Sequence, residues 1–254
     1  MKILGGLYDN SGVAVRALGR VVRAALPQRC FFCGDGADET VCTPCAAALP
    51  RTDAGACPSC QLPSVHAQIC GRCLRRPPHW RSLFAPWRYH YPVDRAVVAG
   101  KRASAFAVLN WFSQSAQFHA ALDVDVVIAV PASPERLQER GYNQAELIAR
   151  QISKRLCIPL DRESLVRIRD TETQYQRNWI ERRANVRGAF AATRSLAGQR
   201  VLLVDDVLTT GATLNELSRT AQLAGALSVD AFVLARAQPM RRRERIAKFV
   251  EQPR

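Results

Sequence analysis

Eight of the nine cysteines stand in four Cys-x-x-Cys pairs: Cys30-Phe-Phe-Cys33, Cys42-Thr-Pro-Cys45, Cys57-Pro-Ser-Cys60 and Cys70-Gly-Arg-Cys73. Two residues between thiolates let one tight turn aim both sulfurs at a single ion, and two such turns complete a tetrahedral set of four sulfurs suited to Zn2+. Gly34, Pro44, Pro58 and Gly71 supply the turn chemistry. Pairing in sequence order gives one site from Cys30, Cys33, Cys42 and Cys45 and another from Cys57, Cys60, Cys70 and Cys73; interleaved pairing satisfies the same count. Two structural Zn2+ ions are expected either way, and four cysteines per ion leave no open position for catalysis. Disulfide or redox use of the same cysteines is the competing reading.

A second chemistry is written in Val201-Leu-Leu-Val-Asp205-Asp206-Val-Leu-Thr209-Thr210-Gly211-Ala212-Thr213. Four apolar residues suit a central strand, and two carboxylates at its end can accept hydrogen bonds from a vicinal diol. Thr209 to Thr213 then offers hydroxyls and backbone N–H groups around Gly211, at the start of a helix whose dipole favours an anion. A diol and a phosphate one turn apart describe ribose 5-phosphate. A second loop, Val130-Pro131-Ala-Ser133-Pro-Glu-Arg136-Leu-Gln-Glu-Arg140-Gly141-Tyr142-Asn143-Gln144, brings Arg136 and Arg140, which suit a diphosphate. The plain alternative for these arginines is a solvated pair beside Glu135 and Glu139.

The elements that must position these groups read as an α/β domain. Apolar runs at Val124 to Val130, Val201 to Val204 and Val229 to Ala235 predict buried strands, and Asn143 to Leu156 and Thr213 to Ala224 predict helices. Strands alternating with helices imply parallel strands with crossover helices, and ligands in such sheets sit beyond the carboxyl ends of the strands. Residues Val13 to Leu26 have the spacing of an Arg-rich amphipathic helix, with no uninterrupted apolar core of secretory length. Arg75-Arg-Pro-Pro-His-Trp80 reads as a stiff linker. The expected organisation is an N-terminal helix over 1–28, a double zinc ribbon over 29–76, the α/β domain over 81–240 and a basic tail over 241–254.

A formal charge of +14 suggests a polyanionic partner. Eight thiolates holding two Zn2+ would lower it by four to +10. Arg72, Arg75 and Arg76 beside Trp80 and Trp87 could serve nucleic-acid contact, or simply face solvent over a packed seam. The basic run from Met240 to Lys248 carries the same pair of readings. No stretch approaches the ~20 apolar residues of a membrane span, so a cytoplasmic protein is expected. Cys157, alone in a helical stretch, reads as a buried small hydrophobe.

The thirteen residues from Val201 to Thr213 resemble the PRPP (5-phosphoribosyl 1-diphosphate) signature of type I phosphoribosyltransferases, and the Val130 to Gln144 loop is similar to the pyrophosphate loop of those enzymes. Together with the four cysteine pairs, Arg140-Gly-Tyr-Asn-Gln144 and Arg183-Ala-Asn185-Val-Arg-Gly188-Ala-Phe190, they resemble the competence protein F family across nearly the whole chain. That resemblance implies a type I phosphoribosyltransferase-like parallel sheet flanked by helices behind a double zinc ribbon, and a place in DNA uptake and natural transformation. It also implies that Asp205 and Asp206 hold the ribose hydroxyls, that Thr209, Thr210, Gly211, Ala212 and Thr213 hold the 5′-phosphate, and that Mg2+ accompanies PRPP. Gln174, Arg183 and Asn185 would lie in the loop that closes over PRPP, and Lys101 would match an early basic position. Two functions follow: displacement of pyrophosphate at C1 of PRPP by a nitrogen nucleophile, or a non-catalytic adaptor that binds single-stranded DNA or competence proteins on a retained fold.

Overall fold

The computed structural model describes residues 28–100, 106–118, 122–169 and 186–238. The N-terminal helix and basic tail expected from sequence, together with Lys101, Gln174, Arg183 and Asn185, lie outside the described residues. The chain divides into two compact units at Ala48–Leu49. The smaller carries the first cysteine group and a short helix, α1 (Thr43–Ala48). The larger carries the second cysteine group with α2 (Gly71–Arg75), then β1 (Leu83–Phe84), β2 (Trp87–Arg88), α3 (Val93–Ala99) and α4 (Phe106–Ser115). It continues with β3 (Val126–Ala129), α5 (Pro134–Arg140), α6 (Gln144–Leu156), β4 (Leu160–Asp161), β5 (Leu165–Arg167), β6 (Phe190–Ala192), β7 (Arg200–Leu208), α7 (Ala212–Leu223) and β8 (Ser228–Arg236).

Six of the strands form one parallel sheet in the order β1-β8-β7-β3-β4, with β2 also on β8. The central strands are buried on both faces, as parallel strands under crossover helices must be. In β7, Val201 and Leu203 join the main core cluster, while Leu202 and Val204 point to the opposite face and are equally buried. From β3 the chain passes through α6 to β4 on one side and later returns as β7 on the other. The gap between β3 and β7 at their carboxyl ends is therefore the topological switch point, where open α/β sheets bind ligands.

The two long helices match expectation for identifiable reasons. Helix α6 buries Ala145, Ile148, Ala149 and Ile152, one stripe of a 3.6-residue period, and the Asn143 side chain caps it by accepting from the Ala145 N–H at 3.1 Å. Helix α7 buries polar residues as well, and Ser218 and Thr220 are satisfied by donating back to the carbonyls of Leu214 and Glu216. Cys157 corrects the sequence reading. The helix stops at Leu156, and Cys157 adopts a left-handed conformation (φ 55°) whose N–H closes the last turn on the Ser153 carbonyl, leaving the residue exposed. An apolar residue at a helix end faces outward when the backbone must reverse there.

Candidate functional site

Both cysteine groups assemble in sequence order, which settles the pairing that spacing left open. In each, the four Sγ atoms lie within 4.8 Å of one another. Zn–S bonds of ~2.3 Å at tetrahedral angles require sulfurs ~3.8 Å apart. The Cys33 and Cys42 sulfurs are 3.8 Å apart, and those of Cys60 and Cys70 are 3.7 Å apart. The third cysteine of each group donates its backbone N–H to the first sulfur, Cys42 to Cys30 at 3.4 Å and Cys70 to Cys57 at 3.3 Å. Within each group the thiols split: burial pushes Cys60 up to about 11, and hydrogen bonding to Cys42 with burial pushes Cys45 up to about 12, while, against burial, hydrogen bonds from backbone N–H groups and neighbouring thiols lower Cys30 to about 6 and Cys70 to about 7. Four thiols this close resist ionising together without a cation, and a dication removes that conflict. The two four-cysteine groups fit a double zinc ribbon.

Asp205 and Asp206 sit inside β7, not after it. The ladder to β3 ends at Ala129 opposite Val204, with the Val130 N–H still reaching the Val204 carbonyl, whereas the ladder to β8 continues to Leu208 opposite Arg236. The carboxylates thus occupy the stretch where β7 has outrun one neighbour but is held by the other. Their hydrogen bonds follow the chain: Asp205 Oδ1 accepts from the Asp206 N–H at 2.9 Å, and Asp206 Oδ1 from the Val207 N–H at 2.7 Å. Both residues are half-buried, yet the surrounding protein withholds water from the Asp205 carboxyl. That burial, reinforced by the neighbouring Asp206 charge, pushes Asp205 well above the usual carboxylate range, while the positive charge of Arg136 pulls the other way.

Beyond β7 the chain turns at Gly211, in the left-handed region at φ 79°, and enters α7. Thr210 Oγ1 accepts from the Ala212 N–H at 3.3 Å, and no side chain caps the helix. Glycine suits the left-handed conformation here, and a Cβ on Gly211 would stand 3.1 Å from the Trp80 ring, close enough to press on it. Thr209 is exposed, and Thr210 and Thr213 are half-buried.

Across the switch point, Ser133 caps α5 by accepting from the Arg136 N–H at 3.4 Å, and Gly141 ends that helix at φ 73°. Arg140-Gly-Tyr-Asn-Gln144 then acts as a frame. Tyr142 Oη donates to the Gly100 carbonyl at 2.7 Å, Asn143 Nδ2 to the Val130 carbonyl at 2.9 Å and Gln144 Nε2 to the Val97 carbonyl at 3.1 Å. The two arginines separate. Arg136 acts electrostatically on Asp205, whereas Arg140 lies 4.0 Å from Glu139 and acts on Tyr142. A cavity of about 290 Å3 opens beside this loop, between Pro131, Leu137, Asn143 and the Asp161, Arg162 and Arg167 side.

Several residues that shape the site are not assigned to it by the sequence reading, which takes Arg72 and Trp80 for nucleic-acid contacts or a packed seam. Arg236, 2% exposed at the end of β8, donates to four carbonyls: Nε to Cys60 at 2.7 Å, and Nη1 to Leu208, Thr209 and Ala237, each at 2.6 Å. Burial lowers its pKa to about 10. Trp80 Nε1 donates to the Ser59 carbonyl at 2.7 Å, Gln61 Nε2 to the Leu83 carbonyl at 3.0 Å and Arg72 Nη2 to the Thr210 carbonyl at 3.3 Å. Glu216, on α7, accepts from the Gly188 N–H at 2.8 Å and pairs with Arg219. An arginine directly after an apolar strand was the one available signal for Arg236, and it reads equally well as the start of a solvated tail.

Comparison with known proteins agrees with this architecture. A double zinc ribbon domain matches residues 21–74, and a phosphoribosyl transferase domain matches residues 138–252. The chain belongs to the competence protein F family. It is 32% identical over 205 residues to the DNA utilization protein YhgH of Escherichia coli O157:H7, covering 77% of this chain and 90% of that protein. Competence protein F of Haemophilus influenzae is 32% identical over 183 residues, 68% of this chain and 80% of the relative. Competence protein ComFC of Bacillus subtilis is 31% identical over 215 residues, 79% and 85%. Among solved structures, a glutamine PRPP amidotransferase from B. subtilis aligns at 22% identity with a TM-score of 0.36, over 54% of this chain and 30% of that one. Among the described residues no helix is long and apolar enough to cross a membrane.

Proposed function

We propose that the crevice between β3 and β7 binds PRPP with Mg2+ and that this cytoplasmic protein serves DNA uptake and utilization, as the names of its relatives suggest. The reading rests on one observation above the others: two adjacent carboxylates where β7 outruns β3, one turn before a left-handed glycine that opens a helix. Asp205, held toward its protonated form, can donate to one ribose hydroxyl while Asp206 accepts from the other. Thr209 to Thr213 would take the 5′-phosphate on backbone N–H groups, hydroxyls and the α7 dipole. Arg136 and, behind it, Arg140 would face the diphosphate. Mg2+ bound with PRPP would offset charge on the leaving pyrophosphate. In the reaction the C1–O bond to pyrophosphate breaks, a C1–N bond to the acceptor forms and the acceptor nitrogen gives up a proton. The protein's share is positioning and fixed charge.

Calorimetric titration of the zinc-loaded protein with PRPP and Mg2+ tests this, alongside the Asp205→Asn, Asp206→Asn double variant. Saturable binding that weakens about tenfold or more in the variant is expected, the worth of the charge-assisted hydrogen bond that Asp206 would make. Equal binding by both proteins would remove the assignment. A second reading draws on the names of the relatives and on the exposed Arg72, Arg75 and Arg76 around α2. There the pocket senses a phosphorylated ligand, and the basic surface binds single-stranded DNA. A salt-dependent mobility shift without pyrophosphate release would favour it.

A further inference from the structure

The second cysteine group spends its backbone on the phosphate loop. Ser59 and Cys60 lie inside the Cys57-Pro-Ser-Cys60 turn, and their consecutive carbonyls accept from Trp80 and Arg236. The same Arg236 head holds the Leu208 and Thr209 carbonyls, and Arg72, between the ligands Cys70 and Cys73, holds the Thr210 carbonyl. Three successive carbonyls, the last of β7 and the first two of the loop, are therefore fastened by residues of, or tied to, the ribbon, and that of Leu208 also accepts from the Ala237 N–H at 2.9 Å. A trans peptide sets C=O and N–H on opposite sides. Holding the oxygens of residues 208, 209 and 210 fixes the peptide planes that carry the N–H groups of Thr209, Thr210 and Gly211, and so fixes the donors the loop would offer an anion. Trp80, clamped by Ser59, closes the remaining freedom by lying against Gly211.

Beyond the bond from Gln61 to the Leu83 carbonyl, the ribbon carries little apolar core of its own. Its buried cluster is Cys57, Cys60 and Cys73 with Leu62 and Cys70 packed against it, so the metal ligands are themselves most of the core. A turn of that kind keeps its shape through the ion.

We infer that the Cys57–Cys73 ribbon is the mount of the phosphate-binding loop and that Arg236 is its positioning residue, so the loop is ordered only while this ribbon holds its metal. The inference rests on the PRPP reading for the identity of the ligand, and not for the coupling itself.

The test separates the two. The full chain is prepared as Cys70→Ser, Cys73→Ser and, for comparison, as Cys33→Ser, Cys45→Ser, with zinc content measured in each. Hydrogen exchange is followed over residues 205–213, and PRPP with Mg2+ is titrated by calorimetry. Loss of one zinc is expected in both. Exchange over 205–213 should speed up about tenfold or more in the second-group variant and stay within about twofold in the first-group variant. PRPP affinity should fall in parallel. Unchanged exchange after second-site zinc loss, or equal acceleration in both variants, overturns the coupling. If intact protein binds no PRPP, the ligand assignment fails while the exchange result still decides the coupling. Should the cysteine variants not fold, Trp80→Phe keeps the ring in the core and deletes the bond to Ser59. Arg236→Lys keeps the charge and loses the fork that joins Cys60 to the loop. Faster loop exchange at full zinc content is expected in both, least in Arg236→Lys, whose ammonium can still reach loop carbonyls; native exchange in both overturns the inference.

Discussion

The two cysteine groups have nearly the same inner geometry and different surroundings. In each, the third amide points at the first sulfur, and the cross-pair sulfurs stand 3.8 and 3.7 Å apart. The first belongs to a small unit ending at Ala48; the second is built into the unit that carries the sheet. What differs is the use of the turn's backbone carbonyls, since those of Ser59 and the ligand Cys60 accept from Trp80 and Arg236. Coordination is thus set by the local Cys-x-x-Cys turn and is indifferent to context. Function comes from the groups in the turn that do not touch metal.

Metal removal should produce the largest effect and the sharpest separation. Structural zinc contributes on the order of 10 kcal/mol to a small ribbon, so chelation should abolish ordered structure in both cysteine groups. Thermal unfolding of the sheet-bearing unit should drop by several degrees in Cys70→Ser, Cys73→Ser and by no more than about a degree in Cys33→Ser, Cys45→Ser. Calorimetric scans of the two variants check this, and equal drops would erase the contrast. Next in size is Gly211→Ala, which meets the Trp80 ring and a left-handed backbone together. A loss of about 1–3 kcal/mol is expected in denaturant melts, with the zinc content of both groups intact. Zinc loss from the second group in that variant would mean the coupling runs both ways.

The smallest effect has the opposite sign. Asp205 is held above its ordinary carboxylate value, so the folded state binds its proton more tightly than the unfolded chain. Its contribution is favourable below about pH 4, near the unfolded value, and is lost as pH rises through the folded value. Asp205→Asn should therefore melt higher than the parent at neutral pH, with the gap shrinking toward pH 4, even as ligand binding falls. A gap independent of pH would show that the carboxyl is ionised without cost.

The α/β frame was legible because its elements carry their own signals. Strand β7 carries the apolar run Val201–Val204 and β8 the run Ala231–Ala235, and α6 has both a periodic stripe and an Asn cap. The strand holding Asp205 and Asp206 runs four residues further than its apolar run implied, since only pairing with β8 identifies those residues as strand. Strands β1, β2, β4, β5 and β6 have two or three residues each and exist through their partners. The cysteine sites were readable as ligands, although spacing left their pairing open. Arg236 was not readable as a buried residue, because its four acceptors come from 60, 208, 209 and 237, three of them distant in sequence. Cys157 failed for a local reason: its side chain follows from the backbone reversal after Leu156 and not from its polarity.

The bond between Arg236 and Cys60 spans 176 positions. Synthesis at ~5–20 residues per second separates the two ends by roughly 9–35 s. For most of that interval the ribbon's four thiols have been made, and the strand that will receive it has not. Its four cysteines are close enough in sequence to gather an ion before β8 exists, so the part of the loop's mount made first is complete by itself and the part made last, Arg236, has only to dock on it.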